Sequence, residues 1–135
     1  MTIVVDASVV VAALVDSGPV GTWADELLES DDLAAPHVMS VEAANILRRA
    51  SQSGQISADT ASLAHGDLLA LLVEYFPYEP FGARVWELRD NVTCYDAWYV
   101  ALAEHLDGSM STLDQKLTKA SGIRCSFLTA PNDHL

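Results

Sequence analysis

Four acidic residues, Asp6, Glu42, Asp96 and Asp114, offer the most readable chemistry in this chain. They are far apart in sequence, yet each falls where a helix is expected to begin. Asp6 closes the apolar run 2–5 and opens Ala7-Ser8-Val9-Val10-Val11, and Asp114 closes 109–113 in the same manner and opens a short basic helix. If the preceding strands lie side by side, the four carboxylates face one crevice and can hold a divalent cation. Oxygen donors with no His or Cys close by select Mg²⁺ or Mn²⁺ over zinc or copper. A hard cation in such a place acidifies water for attack on a phosphodiester and offsets the charge that develops there, alone or as a pair about 3.5–4 Å apart. No nucleophilic Ser, Cys or His is needed. Ser8 and Thr112, two residues from Asp6 and Asp114, are hydroxyls that could orient a ligand or water, or simply mark a helix entry.

Each acid also has a plain structural explanation. Asp6 and Asp114 can cap the helices that follow them. Glu42, in a first helical turn, favours the helix dipole, and Thr93-Cys94-Tyr95-Asp96 has the form of a capping box. Their convergence is the stronger signal. Two carboxylates about 4 Å apart repel by roughly 4 kcal/mol at an effective dielectric near 20. Several such pairs would consume much of the ~5–15 kcal/mol that stabilises a domain, and a bound cation removes the conflict.

The elements that must position these acids alternate in type. Short buried strands are expected at 2–5, 33–35, 73–77, 109–112 and 125–128. Helices are expected at about 7–15, 20–28, 40–53, 57–72, 81–90, 94–106 and 115–120, with breaks at Ser17-Gly18-Pro19, Gly54, Pro77 and Pro80. On the third helix Val41, Ala44, Leu47 and Ile46 are expected to face inward. This pattern describes an α/β fold, a short parallel sheet of about five strands flanked by helices on both faces. Ligands in such sheets bind beyond the carboxyl ends of the strands, near the point where strand order reverses. The tail from about residue 130 is expected to fray.

The chain has 135 residues, half of them hydrophobic, which suits one domain, 1–135, with a single core. No basic residue precedes Arg48, so the N-terminus lacks the charged region of a signal peptide. The apolar stretch 3–15 is interrupted by Asp6 and Ser8 and is too short for a bilayer, which needs about 20 apolar residues. These features imply a soluble cytoplasmic protein with no membrane partner. Cys94 and Cys125, without a CxxC spacing, are expected as buried reduced thiols. The net charge of −12 opposes nucleic-acid binding by a general field, so any such binding must be local. Arg48 and Arg49 follow Glu42, and Lys116 and Lys119 follow Asp114, close enough to serve that purpose or to act as solvated helix ends. Trp23, Trp86, Trp98 and the stretch Tyr75-Phe76-Pro77-Tyr78 are expected mainly as core, with a partner surface as the alternative.

Four segments together resemble a PIN-domain ribonuclease, most closely the VapC-type toxin of type II toxin–antitoxin modules. They are Ile3-Val4-Val5-Asp6-Ala7-Ser8, the helix from Ser40 to Arg49, Tyr95-Asp96-Ala97-Trp98-Tyr99-Val100-Ala101-Leu102-Ala103-Glu104, and Ser111-Thr112-Leu113-Asp114-Gln115-Lys116-Leu117. The resemblance implies a PIN-like nuclease domain, a Mg²⁺-dependent endoribonuclease that cuts RNA. It also implies a homodimer neutralised by a cognate antitoxin whose C-terminal segment lies over the active site. It carries Asp6, Glu42, Asp96 and Asp114 onto the family's acidic quartet as catalytic and metal-binding residues, with Mn²⁺ as a possible substitute, and Thr112 onto its hydroxyl position. Asp6 and Asp96 would be direct ligands, while Glu42 and Asp114 would act through water or on a second metal. No fifth carboxylate is evident, which weakens the case for two metals.

A receiver-type phosphoacceptor would need an Asp after the middle strand and a Lys after the last, and neither is present. A haloacid-dehalogenase-type phosphatase would show Asp-x-Asp after the first strand, where this chain has Asp6-Ala7-Ser8. A catalytically silent PIN-like binding or regulatory module is the remaining alternative, and the complete quartet speaks against it.

Overall fold

The β-branched run at the N-terminus forms strand β1 (Thr2–Val5), almost wholly buried and therefore flanked by cover on both sides. A computed structural model describes residues 1–30 and 32–131. After β1 come helices α1 (Ala7–Val15) and α2 (Pro19–Ser30), strand β2 (Asp32–Pro36), and helices α3 (Met39–Gln52) and α4 (Ala58–Ala70). Strand β3 (Glu74–Phe76), helix α5 (Gly82–Glu87), helix α6 (Cys94–His105), strand β4 (Ser109–Thr112) and strand β5 (Ser126–Thr129) complete the order. The five strands are all parallel, in the order β3-β2-β1-β4-β5.

That order dictates where helices go. The chain moves from β1 to β2 to β3 in one direction, then returns past β1 to β4 and β5. Right-handed crossovers accordingly place α1 to α4 on one face and α5 and α6 on the other. Helix α6 packs against β1, β2 and β4, and α1 packs against α2, α3 and α4. Between the layers lies one main core, which includes Ile3, Val4, Val5, Ala34, Ala35, Leu68, Val85, Val100, Leu102 and Met110. The direction of travel reverses between β1 and β4, so the switch point lies at the carboxyl ends of those two strands.

Most expected elements are present with shifted ends, and several readings need correction. The basic helix expected at 115–120 is only a 3₁₀ turn, Leu117–Lys119, because Asp114 ties down the N–H groups of Lys116 and Leu117 and Ala120 turns extended. Helix α5 ends at Glu87 rather than 90, in a run of tight turns through Asn91. On α3 Met39, Ala43 and Leu47 are buried and Ala44 and Ile46 pack half-buried against the core, but Val41 is 69% exposed. Helix α3 also begins at Met39, one residue before Ser40. Ser40 donates from Oγ to Tyr75 Oη at 2.9 Å, tying α3 to β3. The fraying expected of the tail falls, from residue 132 onward, outside the described residues.

The thiols also differ from expectation: Cys94 is exposed and Cys125 half-buried, and both are free. Trp23 and Trp98 pack against the core, as do Tyr75 and Phe76, but Trp86 is 60% exposed beneath the Arg89 guanidinium. No single helix among the described residues is long and apolar enough to cross a membrane.

Arg84 on α5 makes a two-pronged bond to Glu104 on α6, Nε to Oε1 at 2.7 Å and Nη2 to Oε2 at 3.0 Å, and also donates to the Gly122 carbonyl at 2.6 Å. Burial alone would raise the Glu104 pKa, but Arg84 and the Arg124 N–H pull it below the ordinary value. This clamp fixes the second helical layer to the approach to β5. On the opposite layer, Gly21 lets α2 turn tightly against α1, since a Cβ there would fall 1.8 Å from the Asp16 carbonyl oxygen. Gly21→Ala is expected to destabilise the fold by about 3 kcal/mol or more, read as a shift in urea midpoint at unchanged m-value. Arg84→Met is expected to cost about 2–3 kcal/mol at neutral pH, and less as acid protonates Glu104 in the native state.

Candidate functional site

The helices that follow β1 and the loop that follows β4 start at the switch point, so the first polar residue beyond each strand faces the crevice between them. Asp6 stands at the end of β1 with its backbone N–H on the Ser111 carbonyl, extending the ladder to β4. Its Oδ1 accepts from the Val9 N–H at 3.1 Å and from Ser8 Oγ at 2.5 Å, and the Thr112 hydroxyl bonds the same carboxyl. Ser8 Oγ in turn accepts from the Leu113 N–H at 3.3 Å. Both hydroxyls singled out from the sequence thus hold Asp6 in place, and Thr112 also accepts from the Asp114 N–H at 3.0 Å.

Glu42 lies in the first turn of α3 and Asp96 in the first turn of α6, where Thr93 caps the helix by accepting the Asp96 N–H at 3.2 Å. Asp114 follows β4, exposed, and accepts from the N–H groups of Lys116 and Leu117 at 2.9 and 3.3 Å. The capping roles are therefore real for Asp6 and Asp114. They do not compete with a functional role, because all four acids line one groove of about 760 Å³. The groove is completed by Ser8, Val38, Val41, Asn45, Ile46, Arg49, Tyr95, Tyr99 and Leu113. A shallower trough of about 440 Å³ adjoins it, sharing Asp96 and Asp114 and bordered by Arg89 and Lys116.

Of the four cations read as close to the acids, Arg49 lines the groove and Lys116 the trough. Arg48 points elsewhere and donates to Asn45 Oδ1 at 3.3 Å.

Tyr99 belongs to the site although its sequence position did not single it out. It is 2% exposed, and its hydroxyl donates to Glu42 Oε1 at 2.5 Å, joining α6 to α3 across the end of the sheet. Burial, followed by the Glu42 carboxylate, pushes the Tyr99 pKa far upward, so it stays a donor. Its signal was its spacing: Tyr99 lies three residues after Asp96, on the same face of α6.

The electrostatics are those of a site short of positive charge. Burial raises the Asp6 pKa, against the bonds from Ser8, Thr112 and Val9. Burial also raises Glu42, against the Tyr99 bond, and the charges of Asp96 and Asp6 push it further. Asp96 is raised by burial, then by the Asp114 and Asp6 charges. The charges therefore interact across the groove. The donor set suits a hard cation, since it is oxygen-only. Among the described residues no three His, Cys, Asp or Glu side chains are gathered closely enough to form a ready-made metal cage. Such a groove suits Mg²⁺, which is commonly held by one or two carboxylates with water and substrate phosphate rather than by a full protein cage.

A doubly covered parallel sheet with an acidic groove at its switch point is the class defined by this fold and site. Residues 3–123 match the family model of the PIN domain, and the chain belongs to that family. It is similar to ribonuclease VapC1 of Mycobacterium tuberculosis (strain ATCC 25618 / H37Rv), with 41% identity over 125 residues, 92% of this chain and 94% of that one. Its fold is similar to that of PAE2754 from Pyrobaculum aerophilum, with a TM-score of 0.71 at 22% identity over 94% of this chain and 83% of that one. It is also similar to the fold in a structure of VapBC2 from Rickettsia felis bound to a DNA fragment from their promoter. There the TM-score is 0.66 at 11% identity, over 97% of this chain and 100% of that one.

The raised carboxyls generate a pH dependence. Each native pKa above the ordinary value (3.8 for aspartate, 4.5 for glutamate) means that ionisation disfavours the fold. The penalty is complete above the native pKa values and fades as pH falls through them toward the ordinary ones. Without divalent cation, Asp96→Asn is expected to raise the melting temperature near pH 7, and its advantage over the parent should shrink as the pH is lowered toward 4. A lower melting temperature at pH 7 would mean that the hydrogen bond between the Asp96 carboxyl and Thr93 outweighs the repulsion.

Proposed function

We propose that this protein is a metal-dependent endoribonuclease, a phosphodiester hydrolase acting in the cytoplasm as the toxin of a toxin–antitoxin pair. The carrying observation is that acids from four separate segments meet in one groove at the switch point, in a chain 41% identical to a protein named a ribonuclease. Asp6, Glu42, Asp96 and Asp114 are the catalytic and metal-binding residues in this reading. Asp6 and Asp96 would hold Mg²⁺, or Mn²⁺ in its place, and Glu42 and Asp114 would act through water or toward a second ion. When bound, the cation supplies Lewis acidity to the phosphodiester and lowers the pKa of water.

The protein's own groups prepare that chemistry. Ser8 and Thr112 donate to Asp6, so its carboxylate is held with one orientation. Tyr99 does the same for Glu42, spending one of that carboxylate's acceptor sites and directing the rest toward the groove. Because burial and like charge raise these acids, a cation entering the groove relieves a conflict already present.

The antitoxin partner is supported by the similarity to the VapBC2 fold and by an acidic groove that matches a basic side chain in sign. The homodimer is supported by Leu63, Leu69 and Leu72, all exposed on or just after α4, apolar surface of the kind that self-association covers. The two free thiols accord with a reducing compartment.

Purified protein is expected to cleave RNA with Mg²⁺, to stop with EDTA, and to lose at least about a hundredfold in rate as Asp6→Asn. Equal cutting in all three conditions would expose a contaminating nuclease. Tyr99→Phe keeps the packed ring and removes the bond to Glu42. It is expected to lower kcat by about tenfold, the scale of an outer-shell ligand partner, with Mg²⁺ demand shifted to higher concentration. An unchanged Mg²⁺ titration would limit Tyr99 to packing.

A further inference from the structure

The trough beside the groove is built from two distant parts of the chain. One wall is the run of turns from Arg89 to Thr93 that enters α6 and delivers Asp96. The other is the connection after β4, which carries Asp114, Lys116 and Leu117. Asp96 and Asp114 thus sit on different walls, and the charge of Asp114 is felt at Asp96. Like charges push the two walls apart. What resists that push lies further along the same connection. Asn91 Nδ2 donates to the Ser121 carbonyl at 2.9 Å, joining the turn before α6 to residues 30 positions away. The next carbonyl, that of Gly122, accepts from Arg84 Nη2 at 2.6 Å. Gly122 has a φ of 87°, and a Cβ there would fall 3.3 Å from Asn91 Nδ2 and 3.4 Å from Leu88 Cδ2, so glycine lets the connection come this close. Leu117 pins the same connection into the core. Of these anchors, Asn91 and Leu117 line the trough with both acids, and Asn91 is exposed, so its amide adds little to the core.

Resting on the reading of Asp96 and Asp114 as cation-binding groups, we propose that Asn91 is a positioning residue. By tying Ser121 to the turn before α6, it sets the separation of Asp96 and Asp114 and with it the affinity of the groove for a divalent cation. The route from Ser121 to Asp114 is short. Asp114 Oδ1 accepts from the Lys116 and Leu117 N–H groups at 2.9 and 3.3 Å, and the 3₁₀ turn Leu117–Lys119 follows at once. Loosening the connection at Ser121 therefore frees the backbone that orients the Asp114 carboxylate. A hard cation such as Mg²⁺ demands near-ideal octahedral geometry, so carboxylates that drift apart lose their common hold on the ion or its waters. Partners behind a ligand act on metal affinity in this way without touching the metal.

The test compares the full-length protein with Asn91→Leu, which keeps much of the side-chain volume and removes the donor. Two measurements are made. Mn²⁺ alone is titrated and the free ion followed by electron paramagnetic resonance, and amide hydrogen exchange of the metal-free protein is read residue by residue by NMR. Asn91→Leu is expected to raise the Kd for Mn²⁺ by about fivefold, the scale of one hydrogen bond. In the metal-free protein the Lys116 and Leu117 amides should exchange faster, while those of β1 keep the parental rate. A parental Kd would overturn the assignment. So would a raised Kd with unchanged exchange at Lys116 and Leu117, which would make Asn91 itself a ligand rather than a group acting through the connection. Faster exchange in β1 by the same factor would also overturn it, since that marks general loss of stability. Failure of the parent to bind Mn²⁺ marks failure of the cation-site reading itself, and the parent titration alone tells the two apart.

Discussion

Burying carboxylates against one another costs free energy, and the arrangement of this protein follows from how that cost is contained. Asp6, Glu42 and Asp96 are all raised by burial, and Glu42 and Asp96 also by the charges facing them. Hydrogen bonds from Ser8, Thr112, Tyr99 and Thr93 stabilise the ionised forms in part. The remainder is a standing demand for positive charge. A fold can sustain that demand only with a large, well-packed core behind it, and the almost wholly buried β1 and β4 with the inner face of α6 supply one.

The same constraint explains why capping and function coincide here. A helix N-terminus carries unsatisfied N–H groups and partial positive charge, so it tolerates an acid that would be costly elsewhere. Asp6 caps α1 and Asp114 ties down the 3₁₀ turn after β4, while both remain on the groove wall. Parallel strands all point their carboxyl ends the same way, so helix starts collect along one edge, and the reversal of direction between β1 and β4 opens the crevice there. The acidic groove is thus a consequence of topology as much as of residue choice.

Polarity around the groove is uneven. Arg49 lines the groove together with the acids, whereas Lys116 and Arg89 line the adjoining trough. A strongly acidic chain thus keeps cations beside its acids without a basic field over its whole surface.

Much of this was legible from residue order alone, because period and punctuation are local properties. The buried strands at 2–5 and 109–112, the helix carrying Glu42 and the one carrying Asp96 follow from β-branched runs, helical spacing and Thr93 as a cap. The four acids stood out because each ends or begins such an element. What residue order did not determine is what depends on neighbours distant in the chain. The inward face of α3 is set by where α1 and α4 lie, so Ala43 is buried and Val41 is not. The 115–120 segment stops at one 3₁₀ turn because Asp114 and Ala120 bound it. Tyr99 joins the site only because α6 crosses to α3, a contact between residues 57 positions apart. Local propensity therefore set the elements and the chemistry they could carry, while packing alone decided which side chains support the acids and which stand free beside them.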